Sequence, residues 1–147
     1  MNIESKNLIK EELVPRLRQV IDFSGLTFDG ASFTNSDAEM EFKNIAWVLV
    51  ESKYGNKDIP EGQRIALERK NNDLALSGKE VLTIIARHQV HDVGQKVPLA
   101  KSLVHSIYYK GKWYHYEREK FAVKELVAIF LKKAEEKRVD ELIKKWR

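Results

Sequence analysis

Two apolar runs constrain this chain more than any other feature. Ala46-Trp47-Val48-Leu49-Val50 and Val81-Leu82-Thr83-Ile84-Ile85-Ala86 are short, rich in β-branched residues and almost free of polar side chains. That is the pattern of strands covered on both faces rather than one. Between them, Pro60 stands near the start of a stretch in which Ile65, Leu67, Leu74 and Leu76 lead to Gly78, with Asp58 as a capping residue, and this predicts a helix. Strand, helix and strand in that order imply a parallel crossover.

The remaining segments extend this unit. Residues 4–22 carry Leu8, Ile9, Leu13, Leu17, Val20 and Ile21 in helical register, predicting an amphipathic helix that Pro15 kinks and Gly25 closes. Asp29-Gly30 marks a turn within residues 26–33, and Lys43-Asn44 a turn within residues 39–54, ahead of the first buried strand. Residues 92–101 read as a loop, and residues 102–117 as a hairpin around Lys110-Gly111 rich in aromatics. From Phe121 a long terminal helix places Val123, Leu126, Val127, Phe130 and Leu131 on its buried side. The expected fold is α/β, a single domain over residues 1–147 with a mixed central sheet flanked by helices. Its core spans about residues 5–90, followed by the hairpin and helix of residues 102–147. A chain of 147 residues holds one such core but not comfortably two.

Composition narrows the chemistry. The chain has no Cys, which excludes disulfides, thiolate zinc sites and cysteine nucleophiles, so that oxygen or imidazole must hold any metal. The formal charge of +4 suits a polyanionic partner. The last sixteen residues supply seven basic and four acidic side chains of that balance, as a phosphate-gripping helix or a solvated face laced with opposite charges would. The N-terminal residues mix both signs of charge and lack the apolar stretch of a signal peptide, and no run has the length of a membrane span. A cytoplasmic protein without a membrane partner is expected.

Chemistry concentrates in residues 34–63. Asp37 opens one strand, and the apolar run 46–50 ends in Glu51-Ser52-Lys53 before the chain turns toward the helix. Alternation puts Glu51 and Lys53 on one face, with Val48 and Val50 turned to the other. Two carboxylates with the backbone carbonyl of Ser52 are hard oxygen ligands for Mg2+, which Mn2+ can replace. Such an ion neutralises a phosphate and lowers the pKa of its water, while Lys53 orients that water or stabilises charge on phosphorus.

Asp37 followed by Glu51-Ser52-Lys53 resembles the D and ExK signature of the PD-(D/E)xK nuclease superfamily, of restriction-endonuclease-like and junction-resolvase fold. The aromatic strand before ExK and the Pro60-Glu61-Gly62-Gln63 after it resemble phage-type members, and the Pro common before the Asp is Ser36 here. The resemblance covers residues 5–90 and implies an α-β-β-β-α-β core. It implies Asp37 and Glu51 as metal ligands, Lys53 as the catalytic lysine and Gln63 as the glutamine of the following helix. A first-helix glutamate, Glu11 or Glu12, would complete the site. The implied function is a Mg2+-dependent endonuclease acting on DNA as a homodimer. A non-catalytic DNA-binding or assembly subunit of the same fold is the alternative.

Other residues have plainer readings. His88, His91, His105 and His115 lack the spacing of a metal motif and are expected at the surface or the core edge, with His88 or Arg87 the ones that could approach substrate. The aromatics of the hairpin are expected in the core or a dimer face rather than stacked on bases.

Overall fold

The computed structural model describes residues 21–33, 38–56, 58–92, 94–115 and 121–146. Its centre is a mixed five-stranded sheet in the order β4 (Glu39–Phe42), β5 (Ala46–Tyr54), β6 (Glu80–His88), β8 (Leu103–Tyr109) and β9 (Lys112–His115). The two apolar runs are β5 and β6, paired in parallel from Ala46 opposite Glu80 to Tyr54 opposite His88. Helix α1 (Glu61–Ala75) makes the crossover between them. The other neighbouring strands pair antiparallel. Because β6 pairs onward with β8, the aromatic hairpin is built into the same sheet as the stretch through residue 90.

Turn chemistry sets the hairpins. Asp29 and Gly30, Lys43 and Asn44, and Lys110 and Gly111 all take positive φ, the conformation that tight hairpin turns require. The first of these joins β2 (Thr27–Phe28) to β3 (Ala31–Ser32) in a small separate ribbon.

Most of the core lies on one side of the sheet. Met40, Phe42, Val48, Val50, Leu82, Ile84, Ala86, Val104, Ile107 and Tyr109 face α2 (Val123–Glu135) and α3 (Val139–Lys144), which contribute Val123, Leu126, Val127, Phe130, Leu131, Leu142 and Ile143. Burying each large apolar side chain stabilises the fold by about 1.5–3 kcal/mol. The opposite side is covered by α1 in another manner. Its fully buried residue is Asn71, whose amide donates to Thr83 Oγ1 at 2.9 Å and to the carbonyls of Tyr108 and Val81 at 3.2 and 3.4 Å. Glu68 accepts from Trp113 Nε1 at 2.7 Å, Tyr108 donates to Asn72 at 3.0 Å and Lys70 pairs with Glu39.

The expected helix over residues 4–22 lies outside the described residues except at its end. There Ile21–Asp22 forms β1, parallel to β7 (Val97–Pro98) within the expected loop 92–101, and a short 3-10 turn, Leu99–Lys101, follows β7. The Asp22 carboxylate accepts from the Ser24 backbone N–H and hydroxyl at 2.9 and 2.6 Å, a local bond that competes with helical pairing. Asp58 does not cap α1. Its side chain is fully exposed and turned toward Arg87, and Pro60 holds the cap position without a side-chain bond. Leu76 lies beyond the helix end, 86% exposed. The terminal helix divides at Lys137, whose positive φ lets the N–H groups of Lys137 and Arg138 close on the carbonyls of Ala134 and Lys133, the Schellman pattern that ends a helix. No helix among the described residues is long and apolar enough to cross a membrane.

Candidate active site

β5 is what positions the acid and the amine. With Val48 and Val50 buried in the α2 side of the core, the period of two turns Glu51 and Lys53 to the α1 side. Their side chains meet there, Lys53 Nζ lying 3.4 Å from Glu51 Oε1, and stay 27% and 29% exposed. An ion pair so placed is partly open to solvent.

The backbone beside the pair is also oriented. The Val50 N–H donates to the Ala38 carbonyl at 2.9 Å, so Val50 points its backbone groups toward the β4 edge. Ser52, two residues on, points its N–H and carbonyl the same way, past the end of β4 and away from β6. The Ser52 hydroxyl turns to the other face, 3.4 Å from Ser102 Oγ. Ala38, immediately after Asp37, is thus tied to the residue before Glu51. Asp37, Glu11 and Glu12 lie outside the described residues.

Gln63 sits at the same end of the sheet. Asn71 lies over Thr83, which is opposite Leu49. Gln63 is eight residues earlier in α1, about 12 Å nearer the helix start, and Lys53 is four residues beyond Leu49, about 13 Å along the strand. Since α1 returns antiparallel to β5 and β6, the two displacements run in one direction. Gln63 shares the sheet-facing stripe with Leu67 and Asn71 and is half-buried.

Arg87, singled out with His88 as a residue that could approach substrate, adds a cation beside the pair. It is the β6 partner of Lys53, and its Nη1 donates to the Gly55 carbonyl at 3.2 Å while Nη2 lies 4.0 Å from Asp58 Oδ1. The Gly55 N–H donates to the His88 carbonyl at 3.0 Å. Together these bonds pin the loop that joins the Glu51–Lys53 strand to α1. On the core side of the same strand ends, Tyr54 is hydrogen-bonded to His91 Nδ1 at 2.8 Å and lies edge-on to the mostly buried His88.

The hairpin aromatics Tyr108 and Tyr109 are buried and Trp113 and Tyr114 half-buried, the first and third packed with ring centroids 5.0 Å apart. They serve the packing of the sheet. Burial and then the Glu80 carboxylate push the Tyr109 hydroxyl well above the usual tyrosine range, a direction expected of a phenol that donates to an acid inside a core.

Fold and site together define a mixed α/β protein with a half-buried acid–amine pair at the carboxyl end of a central parallel strand. No family model matches the chain, and no characterised protein or solved structure shows significant similarity to it.

Proposed function

We propose that the protein is a metal-dependent endonuclease that hydrolyses DNA phosphodiester bonds, and that it is a member of the PD-(D/E)xK superfamily. The observation that supports this most is the pairing of Glu51 with Lys53 on one half-buried face at the end of β5, with Arg87 beside them and the Gln63 end of α1 at the same level.

The donor set suits a hard cation. The Glu51 carboxylate is partly solvent-accessible, the Ser52 carbonyl points to the same side of β5 as the Val50 N–H that is bonded to Ala38, and thiolates are absent from the sequence. Glu51, Ser52 through its carbonyl and Asp37 would hold Mg2+ or Mn2+, with Glu11 or Glu12 as a further ligand. When bound, such an ion neutralises phosphate charge and lowers the pKa of a coordinated water. Lys53 stabilises the charge that develops on the phosphate oxygens. The Gln63 amide can both donate and accept, which fits it to orient water or a phosphate oxygen. Arg87 holds the loop that runs from the Glu51–Lys53 strand to α1. A homodimer would bring two such sites to the two strands of a duplex, and a cytoplasmic location is part of the same reading.

Incubation with supercoiled DNA in Mg2+, in Mn2+ and in EDTA tests this. Nicking should require the metal and fall by about a hundredfold or more in Glu51→Ala and in Lys53→Ala. Nicking at the wild-type rate in both variants would remove the assignment. DNA affinity with no cleavage in any metal would instead favour a binding or assembly subunit.

A further inference from the structure

The carboxyl end of the sheet carries a second polar group that the Glu51–Lys53 pair does not use. Val104 and Ile107 both face the α2 core, which strict alternation forbids for residues three apart. They do so because β8 holds one residue more than β6 between the pairs Ala86–Val104 and Ile85–Ser106. The extra residue is His105. A bulge re-aims the side chain it carries, and here the His105 ring lies edge-on to the His115 ring of β9, centroids 5.6 Å apart. His115 faces Ser106, Ser106 faces Ile85 and Ile85 faces Glu51. The row of side chains that starts at Glu51 therefore ends at His115, three strands and about 14 Å away. Both imidazoles belong to exposed residues.

The surroundings select the kind of ligand. Among the described residues, Arg87 from β6, His115 from β9 and Asp58 from the loop before α1 are the charged or titratable groups acting on His105. Burial first, then Arg87 and His115, hold the His105 imidazole below its ordinary range, outweighing Asp58. A place that resists a proton for these reasons also resists a metal cation. Among the described residues no group of three His, Asp or Glu is arranged to hold a metal ion. Burial disfavours a charge of either sign, whereas the positive charge of Arg87 attracts an anion. Arg87 is permanently charged, and each imidazole offers an N–H that donates well to an anionic oxygen.

We propose that His105 and His115, backed by Arg87, form a second phosphate-contact point that holds a nucleic-acid strand about 14 Å from Glu51 along the face of the sheet. The choice of a nucleic-acid strand over a free phosphate rests on the nuclease reading above. The bulge exists to bring His105 into that contact beside His115.

Binding of a fluorescein-labelled duplex, and of its single strand, is followed by anisotropy in EDTA, where cleavage does not intervene. The full chain is compared with His105→Ala/His115→Ala and with His105→Arg/His115→Arg, each checked for an unchanged thermal midpoint. The alanine pair should weaken binding about tenfold, as expected for loss of hydrogen bonds to charged oxygens. The arginine pair should restore affinity and steepen the dependence of log K on log salt by about 0.9 for each phosphate newly neutralised. Unchanged affinity in the alanine pair, or no binding by the wild type, overturns the proposal. Inorganic phosphate that displaces the oligonucleotide at equal phosphate concentration also overturns it, in favour of a small-anion site. Cleavage by wild type and Glu51→Ala is read separately. A wild type that never cleaves, yet loses affinity through the histidine pair, removes the hydrolase and keeps the strand contact.

Discussion

Glu51 and Lys53 touch at the surface, and their exposure sets what their loss does to the fold. A half-exposed pair contributes under about 1 kcal/mol, so Glu51→Ala and Lys53→Ala should unfold within a few degrees of wild type while losing nicking; a large fall in the thermal midpoint would mark the pair as structural instead. Asn71 is the reverse case. It is fully buried and donates to acceptors on two strands, while its Oδ1 has no hydrogen-bond partner among the described residues. Asn71→Ala should cost about 2–4 kcal/mol in denaturant unfolding. Asn71→Asp should cost more, because it removes the donor and buries a charge beside carbonyls. His105 has a pH signature. Its folded pKa lies below the ordinary value, with burial the first cause and Arg87 and His115 next. Protons therefore bind the unfolded chain first as pH falls below about 6.5, and stability present above that pH is lost on going lower. Thermal midpoints of wild type and His105→Gln measured from pH 8 to pH 5 should diverge, the variant gaining relative to wild type at the acid end. The Glu51–Lys53 pair was legible from the period of two alone. The His105 bulge was written only in the odd spacing of Val104 and Ile107, which a reading that assumed regular strands passes over.

Elements that announce themselves by apolar continuity or by a turn dipeptide were readable, and those held by polar contacts were not. β5 and β6 are dense apolar runs, and Asp29-Gly30, Lys43-Asn44 and Lys110-Gly111 mark their turns with residues suited to positive φ or next to one. Asn44 is a place to check this. It sits at φ 61°, where a β-branched side chain costs about 1–2 kcal/mol, so Asn44→Val should lower stability by that amount and Asn44→Gly by little, as thermal unfolding would record. The position of α1 was legible from Pro60 and the leucines, but not its seat. Its contact with the sheet runs through Asn71, Asn72, Glu68 and Lys70, residues that pattern-reading assigns to solvent. The break between α2 and α3 was hidden for a related reason. Lys137 takes the left-handed position where Gly is the usual signal, and the lashing of Lys133 and Arg138 to Glu141 at 3.1 and 2.8 Å supports the corner from outside.

At the scale of the molecule, the site stands on a sheet whose far half comes from the C-terminal third of the chain. β8 covers the edge of β6, and α2 and α3 supply much of the core beneath β5. A fragment ending at residue 90 would bare the β6 edge and the apolar undersides of β5 and β6, so it should show no cooperative unfolding transition by circular dichroism; a fragment that melts cooperatively would locate the core within the first 90 residues. Asp37 was singled out by its chemistry alone and lies outside the described residues, and a short polar run carries no period from which a position could be inferred. The order of assembly was not written in any local pattern either.

That order follows from the clasp at Asn71. One of its acceptors, the Tyr108 carbonyl, comes 37 residues later in the chain, so the helix has nothing complete to lock onto until the last hairpin has joined. Substitution there should quicken unfolding in a stopped-flow chevron and leave the refolding arm nearly where it was, the mark of a bond made after the barrier is crossed. The face of the sheet that carries Glu51 and Lys53 would then set late, and loosen early.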